Sequence, residues 1–221
     1  MHIPDGYLSP PWIVATYAVT LAYAAIAWKR LRREASPEKL TAATMLAAAI
    51  FAAQMLNWPI PGGTSLHFVG GALAGILFGP WLGFYTMALV VTVQALLFHD
   101  GGITTLGANL LNMAIVDVLV GYAVYRALAG GSASVGRRAL AAAVAGWLGI
   151  TLAGALAGVE IGLSPSFPYG VEITVPIMAG WHALLGIIEG IITGAVVASL
   201  YKRRSPLVMF SEAEMREAEA L

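Results

Sequence analysis

Apolar stretches long enough to cross a bilayer follow one another along the whole chain, separated only by short charged or Gly/Pro-rich breaks. Setting these runs against the breaks gives seven candidate spans, at about residues 11–28, 40–57, 66–79, 81–98, 104–126, 138–159 and 175–201. Seven helices of about 20 residues consume about 140 positions, which leaves no separate soluble domain in a chain of 221 residues. A water-soluble globule is excluded, because 59% of the residues are hydrophobic and 11% charged, against about 25% charged in soluble chains. The expected fold is an all-α polytopic membrane helix bundle: one transmembrane domain over residues 1–204 and a cytoplasmic tail over 205–221. The third run, LHFVGGALAGILFG, is short and carries Gly70, Gly71, Gly75 and Gly79. Interrupted spans of this kind accompany binding sites, because loosened backbone is tolerated in lipid only against protein or a cavity.

Orientation follows from the basic residues, which are retained on the cytoplasmic side. Lys29, Arg30, Arg32, Arg33 and Lys39 fall between the first two spans, Arg126, Arg137 and Arg138 between the fifth and sixth, and Lys202, Arg203, Arg204 and Arg216 after the last. All twelve therefore lie on one side, which places Met1 and loops 58–65, 99–103 and 160–174 outside and the C-terminus in the cytoplasm. His2, His67 and His99 fall at the outer edge, and His182 in the outer half of the last span. The opening MHIPDGYLSPPW has no Lys or Arg ahead of its apolar run, unlike a signal peptide, so Met1 is expected to be the mature terminus. Zero net charge and no basic block argue against nucleic acid, and zero cysteines exclude thiolate metal sites and cysteine nucleophiles. Ser211 followed by Glu214 resembles a capping box opening a short tail helix. Small residues four apart in the second span (Ala43/Ala47, Ala48/Ala52, Ala49/Ala53) suit either internal packing or docking of another membrane subunit.

Histidine at position 2 supplies three donors in sequence: the α-amine of Met1, the amide of His2 and a His2 imidazole nitrogen. Together they close a five- and a six-membered chelate ring. Loss of the amide proton draws the three nitrogens toward a plane, which suits Ni²⁺ or Cu²⁺ better than tetrahedral Zn²⁺. His67, just after the turn-forming PGGTS, is the best candidate for a fourth nitrogen. Taken alone, His67 is equally explained as a helix-end histidine bonded to a backbone carbonyl.

MHIPDGYL at the terminus, NWPIPGGTSLHFVGG at 57–71, QALLFHDGGITTLGANLLNMA at 94–114 and HALLGIIEGIITG at 182–194 resemble, in that order, the CbiM/NikM family, the substrate-binding S-components of energy-coupling-factor importers for cobalt and nickel. The resemblance covers all but the tail. It implies a six-helix core preceded by an extra N-terminal helix whose free end turns back into the bundle. It also implies metal ligation by Met1 (amine), His2 (amide and imidazole) and His67, with Ni²⁺ or Co²⁺ as cargo and no cofactor. The implied partners are a transmembrane coupling subunit, separate ATPase subunits and a small additional membrane subunit, and the implied location of this chain is the cell membrane.

The remaining polar residues divide by surroundings. Asp5 is placed to accept a hydrogen bond from an imidazole N–H and so orient it. His99 and Asp100 belong either to the site's surroundings or to an ordinary polar turn. Gln94, Asn109 and Asn112 either tie helices together or orient the N-terminal segment. Asp117 and Glu189 are intramembrane carboxylates, functional candidates by default, with a structural pairing to His182 or a neighbouring amide the equal alternative; His182 and Glu189, roughly 10 Å apart along one helix face, cannot chelate one ion together. An intramembrane enzyme is disfavoured by the absence of HExxH and GxSxG, and the absence of GxxxxGK[ST] assigns any ATP hydrolysis to other chains. An organic-vitamin S-component and a purely structural subunit are the other readings, separated by metal content after dialysis and by loss of uptake on His2→Ala or His67→Ala.

Overall fold

The computed structural model describes residues 1–130 and 134–207. The tail's proposed Ser211–Glu214 cap lies outside them. The described chain is all-helical apart from one two-residue strand pair. The helices are α1 (Pro10–Glu34), α2 (Pro37–Gln54), α3 (Gly71–Phe98), α4 (Leu106–Ala129), α5 (Val135–Gly162) and α6 (Val171–Lys202). All except α2 are long and apolar enough to cross a membrane. Helix starts follow familiar rules. Pro10 and Pro37 occupy first-turn positions where the missing N–H costs nothing. The Ser36 and Ser134 side chains accept from the amides of Lys39 and Arg137.

Residues 66–70, expected to open the third span, are instead non-helical: Ser65–Leu66 pairs antiparallel with Trp58–Pro59, Gly70 is left-handed with φ 81°, and α3 begins only at Gly71. The break at Gly79 is real. Its φ of 73° and ψ of −178° lie outside helix geometry and favour a residue without a Cβ. Beyond it the chain doubles back, because a Cβ at Gly83 would lie 3.1 Å from the Ala74 carbonyl, whereas residues nine apart in a straight helix are about 13 Å apart. Tyr23 of α1 donates to the Pro80 carbonyl at this reversal, 3.1 Å away, so the freed backbone is satisfied inside the bundle.

The ends of α2 and α3 and the starts of α1 and α6 meet in one cap of loops. Ser9 N donates to Ser164 Oγ (2.7 Å), Gly102 N to Ile3 O (3.0 Å), and Asn57 to the Asp100 carboxylate (3.1 Å). α5 and α6 pack most closely, with Gly190 against the Ala143 backbone and Gly194 against Ala139, the close approach that small residues permit in lipid. On α2, Ala43 and Ala47 face the bundle, whereas Ala48, Ala49 and Ala52 are exposed.

Candidate metal centre

The amino terminus is folded into the loop cap. Met1 and Ile3 are 0% exposed, His2 is 2% and His67 is 0%. Ile3 fastens this segment. Its N–H donates to Asn109 Oδ1 (2.8 Å), and its carbonyl accepts from Asn109 Nδ2 (3.1 Å), from the Gly102 amide and from the Thr105 hydroxyl. Asn109 sits on α4, whose π-helical turn at Leu111–Val116 follows directly, a feature frequent at functional sites. Ser65 then gathers the terminal nitrogens: the Met1 amine donates to its carbonyl and, at 2.7 Å, to its Oγ, and the His2 amide donates to the same Oγ at 3.1 Å.

These bonds lay the His2 ring on the His67 ring, with centroids 4.6 Å apart and planes 20° from parallel. His67 Nδ1 is 2.7 Å from the Phe68 carbonyl. That contact requires the proton on Nδ1 and leaves Nε2 with a lone pair. His67 Nε2 and both ring nitrogens of His2 are buried with no hydrogen-bond partner among the described residues. No group of three or more His, Cys, Asp or Glu side chains among the described residues is placed to hold a metal. A cleft of about 310 Å³, lined by His2, Asn57, Ser65, His99 and Asp100 among others, opens onto this cluster.

The neighbouring acids correct one expectation. Asp5 orients no imidazole. It is exposed and accepts from the Thr104 amide (2.8 Å) and hydroxyl and from the Ile103 amide, which together hold its carboxyl below the usual range. The acid beside the imidazole is Asp100, whose Oδ2 is 3.6 Å from His2 Nε2. Burial raises the Asp100 carboxyl above its ordinary value, partly offset by Asn57 and the terminal amine. His99 is exposed at the cleft rim in a left-handed conformation that ends α3. Asn112 donates to Glu160 (2.7 Å), and Gln94 is buried without a partner among the described residues. Asp117 lies against Gly71 and Gly149. Glu189 accepts from the Val69 amide (2.9 Å) and the Gly70 amide (2.8 Å), so it holds the backbone after His67. Sequence reasoning missed Ser65, Asn57 and Glu160.

Burial pushes the Met1 amine well below 8.0, with Asp100 working in the opposite direction. It pushes His2 well below 6.5, reinforced by the terminal amine, and His67 likewise, reinforced by the amine and then His2. The His2–Asp100 contact is therefore not an ion pair near neutrality. The docked segment holds fewer protons than a released one, so docking is favoured above these ordinary values and weakens as pH falls through 8.0 for the amine and 6.5 for the imidazoles. In metal-free protein, methyl NMR of Met1 should show one docked signal near about pH 8 and a growing mobile one near about pH 5. A docked signal unchanged over that range would contradict the assignment.

A multi-pass bundle that folds its own amino terminus inward, stacking two imidazoles with three ring nitrogens unpartnered among the described residues, belongs among membrane proteins with a nitrogen-rich polar pocket. Residues 2–207 match the family described as cobalt uptake substrate-specific transmembrane region, and the chain belongs to that family. It is 55% identical over 209 residues to a putative fused nickel transport protein of Archaeoglobus fulgidus, covering 94% of this chain and 68% of that one. Over the full length of both chains it is 36% identical to a putative metal transport protein of Methanocaldococcus jannaschii. It is 31% identical to a cobalt transport protein of Chlorobium limicola over 94% of this chain and 83% of the other. A crystal structure described as a truncated transition metal transporter superposes with a TM-score of 0.87 at 35% identity, covering 92% of this chain and 99% of that one. The chain is a multi-pass membrane protein of a transport family, and the intramembrane-enzyme reading falls away.

Proposed function

We propose that this chain is the substrate-binding component of an energy-coupling-factor importer that captures a divalent transition metal ion, with nickel preferred over cobalt. The observation that carries the reading is the burial of the Met1 amine, the His2 amide and two imidazoles together around Ser65, with three ring nitrogens lacking partners. On this reading the amine, the amide and one imidazole nitrogen of His2 form three corners of a plane and His67 Nε2 the fourth, a geometry that favours Ni²⁺. If His2 binds through Nδ1, its Nε2–H faces Asp100, which would fix the ring as carboxylates do behind metal-bound histidines. Ser65 holds the amine and amide until the ion takes the amine lone pair and displaces the amide proton, which leaves to the aqueous cleft.

The bundle crosses the membrane seven times, the non-helical residues 66–70 and the first arm of α3 together making one crossing and the second arm the next, with Met1 and the loop cap outside and the basic helix ends inside. This is supported by the reversal at Gly79 and by the one-sided distribution of Lys and Arg. The exposed Ala48/Ala49/Ala52 face of α2 suits a transmembrane coupling subunit. Separate ATPase subunits, and a small additional membrane protein, complete the importer.

The test is equilibrium dialysis of purified chain with Ni²⁺ followed by metal analysis. One ion per chain is expected, with the visible absorption of planar nitrogen-bound nickel, and Ni²⁺ should outcompete Co²⁺. His67→Ala should lose about 100-fold in affinity, about 3 kcal/mol at 1.4 kcal/mol per tenfold. Undiminished binding by His67→Ala, or cargo that proves to be an organic molecule, would overturn the proposal.

A further inference from the structure

The chain has four histidines, and the capture site uses two. His182, on α6, is 0% exposed and sits in the same neighbourhood. α6 runs beside the segment that carries His67: Met178 Sδ meets the Thr64 amide at 3.5 Å, and Glu189 holds Val69 and Gly70. His182 falls between Met178 and Glu189 on the same buried face, which sets it level with residues 65–68, and α6 contacts the Ser65–Leu66 strand.

His182 is prepared in the same way as His67. Its Nδ1 lies 2.6 Å from the Met178 carbonyl, which places the proton there and leaves a lone pair on Nε2. That Nε2 is buried and has no hydrogen-bond partner. Native proteins keep few such atoms without a reason, and an imidazole whose ring N–H is tied to a carbonyl is the usual form of a metal ligand.

We propose that His182 Nε2 is a transfer ligand for the divalent ion, binding it together with His67 once the terminal chelate lets go. The inference rests on the four-nitrogen reading above. In the exchange the bonds from the ion to the Met1 amine and the His2 amide break, and the amide recovers from the aqueous cleft the proton it released on capture. The lone pair of His182 Nε2 and water then fill the vacated positions. His182 makes the ion's path continuous with α6, while Met1 and His2 supply tight capture.

Three measurements with Ni²⁺ or Cu²⁺ test this on the full-length chain. In otherwise native protein, His182→Gln should keep nickel affinity within about twofold and an unchanged planar spectrum, which also shows that the variant folds, yet release of Ni²⁺ to excess EDTA in stopped flow should slow at least about tenfold. In a chain carrying one glycine ahead of Met1, residual weak Ni²⁺ binding should persist with a non-planar spectrum, and His182→Gln should weaken it at least about tenfold further. Without altering His182, the same extended chain carrying His2→Ala should show two imidazoles bound to Cu²⁺ by electron-spin-echo modulation. Unchanged release, residual binding indifferent to His182→Gln, or a single imidazole on Cu²⁺ would overturn the transfer role while tight capture by the native chain stands. A native chain that binds no nickel would instead sink the capture reading, and this one with it.

Discussion

One glycine added ahead of Met1 is expected to reduce nickel affinity by about a thousandfold or more, on the order of 4 kcal/mol. The extension turns the terminal amine into an amide and destroys one chelate ring. It also has nowhere to go, since Met1 is 0% exposed and its nitrogen is held between the carbonyl and hydroxyl of Ser65. Isothermal titration of matched chains, one exposing Met1 and one carrying the glycine, reads the difference directly. Equal affinities would mean that the amine is not a ligand and that its burial serves packing alone.

The second large effect is expected at Glu189. Its carboxylate accepts from both amides that precede α3, at the positive end of the arm beginning at Gly71. Each buried amide left without a partner costs about 1–3 kcal/mol. Glu189→Ala should therefore destabilise the detergent-solubilised protein by about 2–6 kcal/mol and loosen the segment that carries His67. Glu189→Gln, which keeps one acceptor, should fall between. Thermal unfolding with and without Ni²⁺ checks this. The variant should gain less from the ion than native protein does, and an Ala variant with native melting and native nickel stabilisation would exclude the anchoring role.

The gross architecture was legible because membrane helices declare themselves by length and apolarity, and the reversal in α3 was marked by the Gly79–Pro80 pair. His2 and His67 were legible as partners because a terminal chelate has its own chemistry and because polar residues are scarce in such a chain. What surrounds them was legible only in part. Asp100 was one of two readings of its turn, and Ser65 and Asn57 were missed; all three come from loops that touch only in three dimensions, so nothing in their local spacing distinguishes Asp100 from Asp5 as the acid beside the imidazole. Glu160 was hidden by a boundary error: the expected span stopped at 159, whereas α5 runs to Gly162 and buries Glu160 against Asn112. Residues 66–70 read as helix by composition, yet Val69 and Gly70 are committed to Glu189 and the Val69 carbonyl to Gln54, tertiary bonds that override local preference.

The first arm of α3 carries a consequence for how the protein is made. From Gly71 to the break at Gly79 it measures about 12 Å, less than half of the hydrocarbon thickness of about 30 Å, so it cannot settle in the bilayer as an autonomous segment during translation. Its anchoring carboxylate arrives only with α6, the last of the described helices to be synthesised. The pocket around the amino terminus is thus completed by a helix made at the far end of the described chain, and a translation product truncated before Glu189 should insert its early helices yet never form the proposed ion site.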